Sequence, residues 1–263
     1  MKRLILLLFF LLIGCSSLPK EKAETENVTE KIKAEALLGY EYSQMTENTY
    51  KPHDTFILPA DITNPINVDS DGYGFAYSIF HRTKNGELSE VILSFRGTEN
   101  NSEWYKDWIL GNVFSLQNDI GLNEYKKLRE ATPPNIPITV IGHSLGGAIA
   151  LHVSLREDEV TAYVFNTSSR FTRGKAIDNE RHSYAEYAEA NKILRVFTIA
   201  PKWTHSIYSC TFGSPIKNHA QDNLAACLTF CASKISGNAK AVDSIKDNPK
   251  LFKDNKMSEL ACI

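Results

Sequence analysis

The sequence predicts an α/β domain in which a mostly parallel central sheet is flanked by helices and begins with an antiparallel hairpin. Three observations support this. Two runs rich in β-branched and aromatic residues, 74–82 and 90–95, flank Asn85-Gly86, a dipeptide suited to the positive φ angles of a hairpin turn. A short apolar run, 137–141, ends at Gly142; an apolar helical stretch, 146–155, and a further strand-like run, 160–165, follow. That alternation of strand, helix and strand is what parallel pairing with crossover helices requires. Finally, 263 residues with 43% hydrophobic and 23% charged positions suffice for one large domain, and no internal repeat suggests an array.

The remaining elements follow from periodicity. Ile32, Ala36, Leu37, Tyr40 and Met45 lie at near-helical spacing and predict a helix over 28–45. Beyond Asn166 the pattern predicts strands over 182–188 and 206–212 and a helix over 221–233. The 29 basic and 31 acidic residues leave a formal charge of −2, with no basic stripe, which excludes a nucleic-acid-binding surface.

The start of the chain differs from the rest. Lys2 and Arg3 precede an apolar run, 4–13, which Gly14-Cys15 closes. A basic start, a short apolar stretch and a small residue describe an export signal. The run is too short to span a bilayer as a helix, which takes roughly 20 residues. Leu12-Ile13-Gly14-Cys15 resembles the lipobox of bacterial lipoproteins, which implies cleavage before Cys15 and a membrane anchor of lipid (palmitate among the acyl chains) on that cysteine. Loss of Lys2 and Arg3 would take the formal charge from −2 to −4. Ser16 in place of an aspartate favours the outer over the inner membrane, by the pattern of enteric bacteria. Residues 16–30 are polar and rich in Lys and Glu, and so are expected to form a flexible tether. The expected organisation is therefore a signal peptide over 1–14, a lipidated Cys15 with its tether over 15–30, and one folded domain over 31–263.

An exported protein meets oxidising conditions, so Cys210, Cys227, Cys231 and Cys262 are candidates for disulfides, in any of three pairings. Cys227 and Cys231 stand four apart on an expected helix, but no histidine pair accompanies them, which argues against a metal site.

The chemistry concentrates at Gly142-His143-Ser144-Leu145-Gly146, a G-x-S-x-G motif between an expected strand and an expected helix. In that setting the serine occupies a sharp, strained turn that pushes Oγ out at the end of the sheet, and the glycines prevent collision with neighbouring backbone. The N-terminus of the following helix favours a developing oxyanion. Ser144 is thus the candidate nucleophile.

Leu93-Ser94-Phe95-Arg96-Gly97-Thr98, followed by Trp104 and Asp107 and then by Gly142-His143-Ser144-Leu145-Gly146-Gly147, resembles the class 3 lipases, the fungal-lipase-like branch of the α/β-hydrolases. The resemblance spans roughly 74–166. It implies an α/β-hydrolase-like fold, hydrolysis of lipid esters, and an oxyanion hole shared by Thr98 and the backbone N–H of Leu145. Trp104 and Asp107 would brace the loop of Thr98, although Asp107 also suits a helix cap. No metal or organic cofactor is implied.

A serine of ordinary acidity needs a base, and the base an orienting acid, in the chain order Ser, acid, His for this fold. His152 lies two turns along the helix leaving Ser144, and His182 and His205 begin strands at the wrong end of a parallel sheet. His219 falls in a loop just before an apolar helix, where catalytic groups gather, and is the candidate base. The family pattern of a strand followed by an acid places Glu189 at the acid position, within Glu186-Tyr187-Ala188-Glu189. Asp178 and Glu186 are the rivals. Asp222, one helical turn past His219, is expected to point elsewhere. Residues 102–114, with Trp104, Trp108 and Ile109, offer apolar surface for a short lid or for packing on the core.

Overall fold

The structure, a computed structural model, describes residues 18–69, 74–97, 111–169, 171, 174–175, 178–187, 189, 200, 202–210, 214–235, 237–253 and 262. Helix α1 (Leu18–Glu47) precedes three strands, β1 (Ile62–Val68), β2 (Tyr77–Lys84) and β3 (Glu87–Phe95). Then follow α2 (Gly111–Ala131), β4 (Ile138–His143), α3 (Leu145–Ser154), β5 (Ala162–Phe165), β6 (Arg181–Glu186) and β7 (Trp203–Tyr208). The described chain ends in α4 (Pro215–Asn218), α5 (Gln221–Ser233), α6 (Ala239–Asp247) and α7 (Pro249–Lys253).

The strands form one seven-stranded sheet in chain order, antiparallel from β1 to β3 and parallel from β3 to β7. The expected hairpin joins β2 and β3, with Asn85 at φ 55° and Gly86 at φ 83°, the left-handed angles that favour Asn-Gly there. Parallel pairing aligns the C-terminal ends of β3, β4, β5 and β6 along one edge of the sheet. That edge is where groups from separate loops can converge.

Each central strand buries both faces, and the period of two sorts its side chains between two cores. Val91, Leu93 and Phe95 of β3, Ile138 and Val140 of β4, and Ala162 and Val164 of β5 pack under α2 and α3. The alternate residues Ile92, Ile141, Tyr163 and Phe165 face α1 and α5. Tyr163 stacks on both Tyr42 of α1 and His182 of β6, at centroid distances of 4.1 and 4.7 Å. Gln44 of α1 donates to Thr229 of α5 and to Ser244 of α6, both at 2.8 Å, which locks the helical layer together.

Two disulfides form among the four cysteines. Cys210–Cys227 ties the end of β7 to α5, and Cys231–Cys262 ties α5 to the chain end, with Cα separations of 5.7 and 5.5 Å. The sulfurs of Cys210, Cys227 and Cys231 lie within 4.8 Å of one another, but each is committed to a disulfide and offers no free thiolate.

Several expectations need correction. The segment 18–30, expected as flexible tether, is the first part of α1, because Lys, Glu and Ala are strong helix formers and Pro19 falls in the first turn, where proline is tolerated. β6 begins and ends earlier than 182–188, and β7 earlier than 206–212. β7 carries Thr204, His205 and Ser206, so no apolar alternation marked it. β1 escaped notice because Pro65 interrupts it; it pairs on one side among the described strands and shifts register between Thr63 and Ile66, a setting that accepts proline. Of the expected lid, 102–110 lies outside the described residues and 111–114 open α2. Among the described residues, no helix is long and apolar enough to cross a membrane.

Candidate active site

β4 is buried along its whole length and delivers the chain to Ser144 at φ 54° and ψ −119°, after which α3 starts at Leu145. Those angles are costly for a residue with a Cβ and persist only where the surroundings enforce them. Here the Ser144 N–H donates to the Phe165 carbonyl at 3.0 Å, and the Ser144 carbonyl accepts from the Ser168 N–H at 2.9 Å. The motif glycines are required sterically. A Cβ on Gly142 would stand 2.7 Å from the Gly147 nitrogen, and one on Gly146 would fall on the Phe95 carbonyl.

His219 follows α4 and directs Nε2 at Ser144 Oγ, 2.9 Å away. Its Nδ1 lies 2.8 Å from Glu189 Oε2. An ionised carboxylate only accepts, so the proton belongs on Nδ1, and Nε2 is left to accept from the serine hydroxyl. The Glu189 side chain is fully buried at 0% exposure, while His219 keeps 21%. A buried carboxylate needs a partner; a base needs access to substrate. Glu189 is held past the end of β6, where its N–H donates to the Glu186 carbonyl at 3.4 Å. The three groups therefore come from the ends of β4 and β6 and from the turn before α5.

The rival residues lie elsewhere. Asp178 is 90% exposed, pairs with Lys202 at 3.1 Å, and precedes the N-terminal end of β6, across the sheet from Ser144. Glu186 is buried as the last residue of β6, and its N–H donates to Asn166 Oδ1 at 2.9 Å. His152 is buried on α3, where desolvation and then Arg156 push its pKa down to about 4, against a smaller opposing effect of Asp119. His182 faces Glu35 at 3.1 Å and His205 faces Ser183 Oγ at 3.1 Å. Asp222 accepts from the Asn223 N–H at 2.7 Å. Leu145 is the first residue of α3, so its N–H has no acceptor within the helix and sits beside Ser144. Thr98, Trp104, Asp107 and Cys15 lie outside the described residues.

Three side chains not anticipated from sequence complete the surroundings. Asn166, at φ 41° after β5, donates to the carbonyls of Asn218 and His219, both at 3.3 Å. His143 Nε2 lies 2.8 Å from the His219 carbonyl oxygen, and its Nδ1 lies 2.9 Å from the Tyr50 hydroxyl. Tyr50 also accepts from the Gly97 N–H at 2.9 Å. His143 was visible within the motif and Asn166 as a polar residue at a strand end. Nothing local marked Tyr50.

No protein-family model and no curated protein matches this sequence. Solved structures do resemble it, and the class they define is the α/β-hydrolase fold in the form found in fungal lipases. Lipase II from Rhizopus niveus is 15% identical, with a TM-score of 0.51 over 68% of this chain and 81% of its own. A triacylglycerol lipase from Penicillium expansum is 13% identical, with a TM-score of 0.50 over 76% of this chain and 88% of its own. At such identities the likeness establishes the fold.

Proposed function

We propose that this chain is a serine ester hydrolase acting on lipid esters, acylglycerol or phospholipid, through an acyl-enzyme on Ser144. The observation that most supports this is the relay from Ser144 Oγ to His219 at 2.9 Å and from His219 to the buried Glu189 at 2.8 Å. His219 Nε2 takes the serine proton as Oγ attacks the ester carbonyl, and Glu189 stabilises the imidazolium that forms. The Leu145 N–H, with Thr98 as second donor, holds the oxyanion. Collapse expels the alcohol, which receives the proton from His219. Water, deprotonated by the same nitrogen, then attacks the acyl-enzyme and releases the acid, restoring Ser144. Lipids are favoured as substrates because the structural neighbours named above are lipases and because the start of the chain reads as a membrane address.

Labelling with a fluorophosphonate tests the nucleophile without knowledge of the substrate. Wild type should label and Ser144→Ala should not; an unlabelled wild type overturns the proposal in favour of a non-catalytic envelope protein, and undiminished hydrolysis by Ser144→Ala overturns Ser144 as the nucleophile. A panel of p-nitrophenyl esters of rising acyl length, set beside thioesters and peptides, separates a lipase from a thioesterase or peptidase on the same scaffold. For the address, we propose lipidation of Cys15 in a bacterial envelope, at the outer membrane, with the helical N-terminal part of α1 as the spacer. Radiolabelled palmitate should enter the full-length chain and not Cys15→Ser, and labelling of both would refute the anchor.

A further inference from the structure

We propose that Tyr50 and His143 are positioning residues for the reaction, forming a strut that locks the base His219 to the nucleophile turn and to the loop before Thr98. This rests on the hydrolase reading above and extends it to two side chains the triad does not contain. The proton arrangement follows from the partners. His143 Nε2 faces the His219 carbonyl oxygen at 2.8 Å, and a carbonyl oxygen only accepts, so Nε2 carries a proton. The other nitrogen of a neutral imidazole is then an acceptor, and the Tyr50 hydroxyl 2.9 Å away donates to it. The Tyr50 oxygen in turn accepts the Gly97 N–H at 2.9 Å. The hydrogen bonds run in one direction, from Gly97 through Tyr50 and His143 to the backbone of His219, and such chains reinforce one another.

Both ends of the strut matter. At one end it holds the carbonyl of the residue whose imidazole must meet Ser144 Oγ, where Asn166 makes a longer contact at 3.3 Å. At the other end it holds Gly97, whose position leaves no room for a side chain: a Cβ there would lie 2.6 Å from the His143 carbonyl and 2.7 Å from the Tyr50 hydroxyl. The His143 and His219 rings also abut, with centroids 4.8 Å apart, so His143 limits how the base can tilt. His143 is only 7% exposed, which keeps water from competing for its hydrogen bonds. Tyr50 arrives from the end of α1, anchored one residue earlier by Thr49, whose hydroxyl donates to Ser94 Oγ at 2.6 Å. The N-terminal helix thus takes part in setting catalytic geometry as well as covering the sheet.

The test compares His143→Leu, His143→Gln, Tyr50→Phe and the double variant His143→Leu/Tyr50→Phe on a p-nitrophenyl ester. Rates are normalised to the number of sites that take up fluorophosphonate at completion, so misfolded protein does not enter. Small displacements of reacting groups cost up to about 100-fold, so His143→Leu should lower kcat by about 10- to 100-fold with KM within about twofold. Glutamine places a donor near the position of Nε2, so His143→Gln should recover most of the loss. Tyr50→Phe, which removes one oxygen, should lower kcat by roughly 3- to 10-fold, and should add nothing in the His143→Leu background. Unchanged kcat in His143→Leu, a His143→Gln variant as impaired as His143→Leu, or losses that multiply in the double variant would each overturn the strut. Turnover that survives Ser144→Ala would instead refute the hydrolase reading, so the two failures are distinguishable.

Discussion

Replacing Glu189 by glutamine is the sharpest test of the relay, because it keeps size and shape and changes only charge and proton preference. The carboxylate sits 2.8 Å from His219 Nδ1 and is fully shielded from water. A glutamine that turns its NH2 toward Nδ1 donates there and drives the imidazole proton to Nε2. Nε2 then cannot accept from Ser144 Oγ, 2.9 Å away. Turned the other way, its neutral carbonyl still stabilises the imidazolium less than a carboxylate does. The acid-to-amide change in a serine-protease triad lowers kcat by about 10⁴, equivalent to about 5.5 kcal/mol in the barrier, and the same order is expected for Glu189→Gln. Glu189→Asp keeps the charge but withdraws it by one methylene, so an intermediate loss of about 100-fold is expected. The assay is p-nitrophenyl ester hydrolysis, with the rate of fluorophosphonate labelling as a substrate-independent check. Asp178→Asn is the control, since Asp178 is 90% exposed and paired with Lys202 away from the site. A Glu189→Gln enzyme that retains a tenth of wild-type kcat, or an Asp178→Asn enzyme equally impaired, would refute the assignment.

Other expectations concern stability. Ser144→Gly should abolish labelling yet raise Tm by about 2–4 °C, since relief of the φ 54° strain outweighs the added freedom of the unfolded chain by about 1 kcal/mol. Burial holds His152 down to about 4 from 6.5, so the unfolded chain gains a proton that the folded one resists. Stability should fall as pH drops through that window, and His152→Gln should remove about 3 kcal/mol of the fall in denaturation experiments run across pH. Glu47 acts in the opposite direction: burial, then Asp222, raises it from 4.5 to about 7, so its contribution is lost as pH rises through that range. Glu47→Gln should therefore stabilise the protein at pH 8 and not at pH 4. Removing the Cys210–Cys227 bridge, which spans 17 residues, should cost about 3 kcal/mol and lower Tm by about 6–12 °C, and a reductant, which opens the Cys231–Cys262 bridge as well, should lower the Tm of wild type at least as far.

The sequence by itself determined those features whose causes are local. Asn85-Gly86 specified a hairpin turn because only certain residues accept its angles, and the run 137–155 specified strand, turn and helix because Gly142 and Gly146 admit no side chain at the sharp bend. Ser144 was legible as a candidate nucleophile for that reason, and His219 as a candidate base because a loop before an apolar helix is a recognisable place for one. The expected tether failed on a composition shared by solvated coil and exposed helix: Lys, Glu and Ala over 18–30 suit either state, and here they are helical. β1 was missed and the bounds of β7 were displaced because edge strands need no buried alternation to mark them. Only the tertiary structure decided which carboxylate meets His219. Glu189, Glu186 and Asp178 are equivalent as carboxylates in the chain, and what separates them is which end of β6 each occupies and which way it turns once there. Tyr50 lay further still from local reach, since its role depends on α1 crossing the sheet to bring a hydroxyl 93 residues away in sequence against His143. Pairwise contacts over such separations are set by how the layers pack, so the candidate nucleophile could be read from a five-residue motif while the contacts of Tyr50 and Asn166 around it could not.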